Sequence, residues 1–282
     1  MTTSTSELRA NLHSMWGSVA GAWGHHAAYV DERGAGVTER MLDFCSVEPG
    51  DRVLELACGP GSVGLAAAGR VGAGGEVVIS DVAPEMTAIA AARAGELGLT
   101  NVSARSLDLE AIDEPDGSYD VTLCREGLML VPEPALAARE IVRVLRDGGR
   151  AAVAVWGPRE RNPWLGLVLD AVSAQVGAPV PPPGVPGPFS LSDADELGAL
   201  LSEAGLSGVG VEEFTVPMHA ASFDEWFSRA SSLAGPLAKV LAAMPEEAQA
   251  ALRARAREAV ADYETANGLE LPGVTLLASG SR

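Results

Sequence analysis

The sequence is short of basic side chains and has no long apolar run. Its 282 residues carry 38 acidic against 20 basic side chains, which gives a net charge of -18. Nucleic-acid phosphates and anionic membrane surfaces are bound by clustered lysine and arginine, and a membrane-spanning helix needs about 20 apolar residues in succession. The composition therefore predicts no nucleic-acid partner and no membrane insertion, and the acidic excess is interpreted as a solubilising surface.

Cysteine and histidine are also scarce. The three cysteines, Cys45, Cys58 and Cys124, stand apart without the CxxC spacing that zinc and disulfide sites use. The first residues are polar and lack the apolar core of a signal peptide. We therefore expect no metal site and a cytoplasmic location. With only four histidines in the chain, there are few candidates for a general base.

Strand and helix patterns alternate over the first half of the chain. Such repetition predicts an α/β protein whose parallel sheet is built by right-handed crossovers. The predicted strands of this part occupy residues 52–57, 76–80, 101–106, 119–124 and 150–156. Two more strands are predicted at 208–216 and 271–279, and mainly helical insertions at 157–188 and 217–270.

The N-terminal segment, residues 1–40, is predicted to be helical. Trp16, Val19 and Trp23 recur at three- and four-residue steps, which is typical of a helix with one apolar face. Three glycines interrupt this pattern, and glycine is unfavourable inside helices. We therefore predict two short helices rather than one, with His25-His26 at their junction.

A glycine loop follows the first predicted strand. Gly59-Pro60-Gly61-Ser62-Val63-Gly64 satisfies the pattern G-x-G-x-x-G, which is typical of nucleotide-binding βα turns. A dehydrogenase would show the same pattern. Glu55 distinguishes a dinucleotide site from a site for another nucleotide ligand, because a carboxylate would repel a pyrophosphate but would attract an amino group or a cationic centre. The alternative is that Glu55 is a strand residue paired for structural reasons.

Acidic residues also follow the next two predicted strands. Asp81 ends the second strand, where a carboxylate accepts hydrogen bonds from ribose hydroxyls. Val82 and Met86 would provide apolar walls for an adenine ring, although such residues are more often simply core. Asp108 follows the third strand, where a carboxylate can accept a bond from the adenine amino group. The three acids together favour an adenosine-containing ligand with an amino group.

Four segments of the sequence stand in the same order as the consecutive motifs of one protein family. They are Glu55-x-Ala57-Cys58-Gly59-Pro60-Gly61, Asp81, Asp108-Leu109 and Leu145-Arg146-Asp147-Gly148-Gly149. In these segments the chain resembles the class I S-adenosylmethionine-dependent methyltransferases, and most nearly the group that includes the ubiquinone/menaquinone-biosynthesis enzymes. The resemblance covers about residues 41–157 well and the last two strands in outline.

The resemblance implies a fold and a division of the chain. The fold is a seven-stranded, mostly parallel Rossmann-like sheet with helices on both faces, a reversed last strand, an N-terminal helical lid, and helical insertions after strands five and six. The implied division is a lid at 1–40, a Rossmann-like domain at 41–157 and 187–282, and a substrate cap formed by the insertions 157–188 and 217–270.

The resemblance also implies a cofactor, S-adenosyl-L-methionine, with S-adenosyl-L-homocysteine as the product. The implied binding residues are Glu55, Ala57, Gly59, Gly61, Asp81, Val82, Met86, Asp108, Leu109 and Arg125. Relatives often carry an aromatic or small residue at the end of strand four, so Arg125-Glu126 departs from the family pattern.

A general base is the remaining part of the predicted site. A sulfonium methyl is already activated, so such an enzyme supplies mainly alignment, dehydration and sometimes a base. His26 and His25 are the first candidates because they lie in the predicted lid, and His219 and Glu126 are others. The alternative is that both lid histidines lie on the surface and that the nearby tryptophans only pack the lid down.

The predicted function is S-adenosylmethionine-dependent methyl transfer to a small, fairly apolar molecule. The acceptor atom could be O, N or C, as in quinones, phenols or secondary metabolites, and the protein would be a monomer or a homodimer. Three alternatives stay open. They are a cyclase or decarboxylase on the same fold, an NAD(P)-dependent oxidoreductase, and a non-catalytic S-adenosylmethionine-binding regulator.

Overall fold

A computed structural model describes residues 5–282 of the chain. Two helices come first, α1 (Thr5–His25) and α2 (Ala27–Phe44), and the alternating part follows. Its elements are β1 (Arg52–Leu56), α3 (Ser62–Val71), β2 (Glu76–Asp81), α4 (Pro84–Glu96), β3 (Val102–Ser106), β4 (Tyr119–Arg125), α5 (Pro134–Val144) and β5 (Leu145–Trp156). The rest consists of α6 (Pro163–Val176), α7 (Ala194–Glu203), β6 (Ser207–Thr215), β7 (Met218–Ala220), α8 (Phe223–Leu233), α9 (Pro236–Ala243), α10 (Glu246–Val260), β8 (Glu264–Thr265), β9 (Gly268–Leu271) and β10 (Val274–Ser281).

The main sheet has seven strands in the order β3-β2-β1-β4-β5-β10-β6. The strands β1 to β5 pair in parallel, and β10 is antiparallel to both of its neighbours, β5 and β6. The predicted mostly parallel sheet with a reversed last strand is confirmed. The strand order reverses between β1 and β4, and a crevice at the carboxyl ends of the strands is expected at such a switch point.

The N-terminal segment forms two helices that meet at His26, as predicted, but neither is short. The glycines of α1 do not break it, and two of them lie where α1 packs closely against α4. A Cβ at Gly17 would come within 2.7 Å of the Glu85 carboxylate, and one at Gly24 within 3.1 Å of Ile89. Since α2 continues to Phe44, the boundary predicted after residue 40 falls inside a helix.

The second insertion is not wholly helical. Besides α8, α9 and α10 it contains a second, three-stranded sheet in the order β7-β9-β8, with both pairings antiparallel. These strands are two to four residues long. A strand of that length shows no alternating pattern in the sequence, so this sheet was not predicted. Within residues 5–282, we find no helix with both the length and the apolar character needed to cross a bilayer.

Candidate functional site

The glycine loop turns sharply at the carboxyl end of β1. Ala57, Gly59 and Gly61 all have positive φ angles, of 51°, 52° and 91°. Glycine adopts this conformation without strain, whereas alanine does so at a cost. The turn is fixed by the Gly61 N–H, which donates to the Cys58 carbonyl oxygen at 2.8 Å, and by the Cys58 N–H, which donates to the Ser80 carbonyl at 2.8 Å. These two bonds therefore fix the position of the loop backbone beside the first turn of α3.

Glu55 is buried beneath that first turn. Its Oε1 accepts a hydrogen bond of 3.1 Å from the Val63 N–H, while its buried Oε2 has no hydrogen-bond partner. Burial raises the pKa of the Glu55 carboxyl to about 7, against the lowering effects of the Gly64 N–H and the Arg125 guanidinium. An unsatisfied buried acceptor is rare in folded proteins. This oxygen is suited to a donor supplied by a ligand.

Asp81 ties the glycine loop to the end of β2. Its Oδ2 accepts from the Gly59 N–H and its Oδ1 from the Ala83 N–H, both at 3.0 Å. Burial raises the pKa of the Asp81 carboxyl, although the N–H groups of Ala83, Gly59 and Val82 oppose the shift. Each carboxylate oxygen keeps a second lone pair, so Asp81 can still accept bonds from the hydroxyls of a ligand.

Asp108 lies across the crevice beneath helix α1. Its Oδ1 accepts a bond of 2.9 Å from the Glu110 N–H, and its Oδ2 lies 3.7 Å from His13 Nε2 and 3.8 Å from Arg9 Nε. Arg9 Nε donates to the buried Glu110 carboxylate at 2.8 Å. Sequence reasoning missed Arg9, His13 and Glu110, because no spacing pattern marks a contact between distant segments.

These groups enclose a first cavity between α1 and the sheet edge, named here the inner cavity. Nine of the ten predicted cofactor residues line it: Glu55, Ala57, Gly59, Asp81, Val82, Met86, Asp108, Leu109 and Arg125. Gly61 is not among its lining residues and instead allows α3 to approach α4, since a Cβ there would come within 2.9 Å of Ala90. The inner cavity holds about 110 Å³.

A second and larger cavity, named here the outer cavity, lies beyond the first. It holds about 580 Å³ and is enclosed by α1, α6, α8, α9, the proline-rich segment 178–188 and β7. Most of its lining side chains are apolar. Six aromatic residues are among those that line it, namely Trp16, Trp23, Tyr29, Trp156, Trp164 and Trp226. Phe189 and Phe227 do not line it.

The two cavities meet at a shared wall, named here the junction. It consists of Leu12, Trp16, Trp23, Glu126 and Leu130, which line both cavities. Glu126 is the one ionisable residue of this set and has a φ of +60°. Its carboxylate accepts bonds of 3.3 and 3.1 Å from Arg33 Nη2. The arrangement places a carboxylate between a predicted cofactor site and an apolar chamber.

Arg125 reaches from the end of β4 to helix α2. Its Nη1 donates to Thr38 Oγ1 at 2.8 Å and to the Gly34 carbonyl at 3.3 Å. A Cβ at Gly34 would collide with this guanidinium. Burial lowers the pKa of Arg125, while the carboxylates of Glu126, Glu55 and Asp31 act in the opposite direction. Arg125 thus links helix α2 to the sheet as well as lining the inner cavity.

The predicted catalytic histidines lie elsewhere. His25 and His26 pack against each other with ring centroids 4.8 Å apart, and neither lines the inner or the outer cavity. Burial lowers the pKa of His26, helped by His25 and by Arg229. Their catalytic role stays a prediction. His13 lines the inner cavity and His219 the outer one. Within residues 5–282, no cluster of three or more His, Cys, Asp or Glu side chains could hold a metal ion.

Comparisons with known proteins agree with this geometry. Residues 53–149 match the family described as "Methyltransferase domain". The chain is 38% identical over 156 residues to the nocamycin O-methyltransferase of Saccharothrix syringae, covering 52% of this chain and 55% of that protein. It is 35% identical over 133 residues to the ubiquinone/menaquinone biosynthesis C-methyltransferase UbiE of Ectopseudomonas mendocina, covering 47% and 52%.

The fold has a solved counterpart as well. The crystal structure of the YcgJ protein from Bacillus subtilis has a TM-score of 0.60 to this chain at 20% identity, covering 87% of this chain and 97% of that one. At that identity the likeness concerns the fold alone. The chain matches about half the length of the two curated relatives. The segment that matches the family, residues 53–149, contains the glycine loop, Asp81 and Asp108.

Proposed function

We propose that the whole chain is a class I S-adenosylmethionine-dependent methyltransferase, which is supported by the match of residues 53–149 to the methyltransferase domain family and by the likeness to curated methyltransferases. Its cofactor is S-adenosyl-L-methionine and its product S-adenosyl-L-homocysteine. The acceptor is a small, fairly apolar molecule of the quinone, phenol or secondary-metabolite type. The two curated relatives are named for O- and C-methylation, so methylation at O, N or C is compatible with the comparisons.

The residues of the inner cavity fit this cofactor. The unpartnered Oε2 of Glu55 can accept a bond from the amino group of its methionine part, and the open backbone at Gly59 lies against the same region. Asp81 can bind ribose hydroxyls, and Val82 and Met86 offer apolar contact to the adenine ring next to Asp108 and Leu109. When bound, the cofactor supplies an activated sulfonium methyl group.

The observation that carries the proposal is the junction of the two cavities. Transfer of a methyl group between two molecules requires that the donor and the acceptor meet in a space that excludes water. The inner cavity has the polar groups for the donor, and the outer cavity has the apolar wall for an acceptor. Helix α1 covers both cavities, as a lid would.

The other chemical classes are less well supported. An NAD(P) oxidoreductase would have to place a pyrophosphate near the buried carboxylate of Glu55, with its unsatisfied oxygen. A cyclase or decarboxylase on this fold, or a regulator, would share the inner cavity, but both curated relatives cited above are methyltransferases.

Calorimetry with S-adenosylhomocysteine tests the cofactor assignment. The wild-type protein should bind it, and Asp81→Asn should weaken binding at least tenfold, because the bonds to the ribose lose their charged acceptor. Asp147→Asn is the matched control, since the Asp147 side chain is fully exposed and far from the cavity. Binding of NADPH without any binding of S-adenosylhomocysteine would refute the proposal.

Methyl transfer itself is tested with labelled S-adenosylmethionine and a panel of apolar phenols, amines and quinones. Label should appear in an organic product, and product analysis identifies the acceptor atom. Conversion of the acceptor without incorporation of label would favour the cyclase or decarboxylase alternative. Cofactor binding with no conversion of any acceptor would favour a regulator.

We also propose that the protein acts in the cytoplasm as a monomer or a homodimer. The support for the cytoplasmic location is the state of the cysteines. Cys45, Cys58 and Cys124 are all free and buried, which is the state expected in a reducing compartment. Light scattering at micromolar concentration measures the oligomeric state, and cell fractionation measures the location.

A further inference from the structure

Glu126 occupies a strained and fixed position at the junction. A positive φ is uncommon for a residue with a side chain, and such strain persists where the surrounding structure enforces it. The next residue shows how tightly the backbone is held, since a Cβ at Gly127 would come within 3.0 Å of Cys124 Sγ and closer still to Ala57. The chain therefore presents the Glu126 carboxylate at one place, in the wall that both cavities share.

Arg33 holds this carboxylate from the side of the outer cavity. Only 6% of its side chain is exposed, against 12% for Glu126. The guanidinium stacks on Trp156 and Trp164, with its carbon 4.6 and 5.2 Å from the ring centroids. The two indole rings orient the guanidinium by stacking, and its Nη2 donates to both oxygens of the Glu126 carboxylate. Each of these oxygens keeps a further lone pair, so the junction presents a hydrogen-bond acceptor.

An ionised carboxylate only accepts hydrogen bonds, so it selects an acceptor molecule whose nucleophile carries a proton. A carbon nucleophile without an acidic proton gains nothing from it. An alkyl amine would enter as an ammonium ion and would have to be desolvated near Arg33 and Arg125, which is unfavourable. A neutral hydroxyl group avoids that cost. The apolar lining of the outer cavity suits the rest of such a molecule.

We propose that Glu126 is the general base for methylation of a hydroxyl group on a large apolar acceptor, such as a polycyclic phenol or enol, and that Arg33 is the positioning residue for Glu126. This inference rests on the proposed function. The acceptor oxygen uses a lone pair to form the new C–O bond, while the C–S bond breaks and its electron pair returns to sulfur. The hydroxyl proton passes to the Glu126 carboxylate.

A carboxylate is a sufficient base for this step. As the C–O bond forms, the oxygen loses electron density and its proton becomes strongly acidic, so little basicity is required in the transition state. Proton transfer to a positioned side chain contributes typically 10²–10⁴-fold to a rate. We therefore expect Glu126→Gln, which keeps the shape and loses the base, to slow transfer to a phenol about 100-fold at neutral pH.

The first test measures the binding of 2-naphthol in the presence of saturating S-adenosylhomocysteine, with naphthol fluorescence as the signal. Wild-type protein should prefer 2-naphthol over 2-methoxynaphthalene, which has no proton to donate, by about tenfold. Glu126→Gln should reduce this preference severalfold, because a bond to a neutral acceptor is weaker. Equal preference in the two proteins would overturn the proposal. So would a wild-type protein that binds S-adenosylhomocysteine but not naphthol.

The pH dependence of labelled methyl transfer to 2-naphthol is the second test. A phenol ionises near pH 10, so the Glu126→Gln protein should regain activity as the pH approaches that value, where the base is no longer needed. A structural defect would not be corrected by alkali. An unchanged pH profile would overturn the role of Glu126, and so would naphthol that binds without being methylated. Methylation of 2-naphthylamine in preference to 2-naphthol would overturn the acceptor class.

Three further variants separate positioning from charge and from folding. Arg33→Lys should retain more activity than Arg33→Met, with the loss in kcat rather than in KM, because the lysine still attracts the carboxylate. Glu160→Gln removes the same charge from an exposed turn and should leave the rate and the pH profile unchanged. Calorimetry with S-adenosylhomocysteine accompanies every variant. A wild-type protein that does not bind it contradicts the proposed function itself, whereas normal binding confines any failure to this inference.

Discussion

The guanidinium of Arg9 donates a hydrogen bond of 2.8 Å to the Glu110 carboxylate, joining two residues 101 positions apart. Arg9 lies on α1, and Glu110 lies in the segment after β3, where it also accepts a bond of 2.8 Å from the Glu133 N–H. The exposed fraction of the Glu110 side chain is only 2%. This contact holds the N-terminal helix over the inner cavity, so we expect it to slow the release of a bound ligand.

Arg9→Met should accelerate the release of S-adenosylhomocysteine by about fivefold, because a partly buried charged hydrogen bond contributes roughly 1 kcal/mol or more. Stopped-flow tryptophan fluorescence can measure the release rate, since Trp16 and Trp23 line the cavity. Arg161→Met removes a more exposed ion pair with Glu213 and should leave the rate unchanged. Equal release from the Arg9→Met and wild-type proteins would show that this contact does not hold the lid.

The buried carboxyl of Glu55 predicts a pH-dependent stability. Burial raises its pKa from an ordinary value near 4.5 to about 7. The folded protein thus holds this proton more tightly than the unfolded chain. The stability gained from the proton is complete below about pH 4.5 and is lost as the pH rises through 7, and it amounts to about 3 kcal/mol.

Glu55→Gln is uncharged at every pH and lacks this loss. Its free energy of unfolding, relative to that of the wild type, should therefore increase by about 3 kcal/mol between about pH 4 and pH 8. Urea unfolding at several pH values gives the free energy of unfolding of both proteins. In the difference between them, the contributions of the other titrating groups cancel. The same variant should bind S-adenosylhomocysteine more weakly. A stability difference that does not vary with pH would contradict the raised pKa.

Two glycines of α3 form a matched pair for testing the packing of the site. A Cβ at Gly64 would lie 2.5 Å from Glu55 Oε2 and 2.5 Å from Ile79, whereas nothing lies within 4 Å of a Cβ at Gly69. Gly64→Ala should destabilise the fold by about 1–3 kcal/mol and weaken cofactor binding, since the buried strands below cannot move aside. Gly69→Ala should stabilise it by about 0.5–1 kcal/mol. Thermal unfolding checks both, and equal effects of the two substitutions would be inconsistent with this packing.

The catalytic prediction for His25 and His26 can be decided directly. Because neither ring lines a cavity, we expect His26→Ala and His25→Ala to retain methyl transfer within about twofold, a change below the ~10²-fold expected for loss of a base. Transfer of labelled methyl to 2-naphthol and binding of S-adenosylhomocysteine are measured together. Lost transfer with normal binding would restore the histidines as the base and would count against Glu126.

Much of the fold and of the inner cavity could be predicted from the sequence. Four of the five parallel strands, β1, β2, β4 and β5, are largely buried, whereas the edge strand β3 is exposed. The turns between the strands contain glycine or proline, so the positions of the strands are visible in local pattern. Asp81 and Asp108 follow strands whose carboxyl ends meet at one edge of a parallel sheet. Their proximity to Glu55 and the glycine loop therefore follows from topology, and nine of the ten predicted cofactor residues line one cavity.

Only the tertiary structure decided what surrounds that cavity. Arg9 and Arg33 reach their partners from α1 and α2 through contacts between residues about 90 to 100 positions apart, and no periodicity encodes a contact of that kind. The same holds for Glu126, whose place in both cavities depends on how α1, α2 and the insertions pack. Local sequence thus determined the parallel strands and the glycine loop, because these are specified by neighbouring residues. The outer cavity and its charged junction were decided by the packing of distant segments.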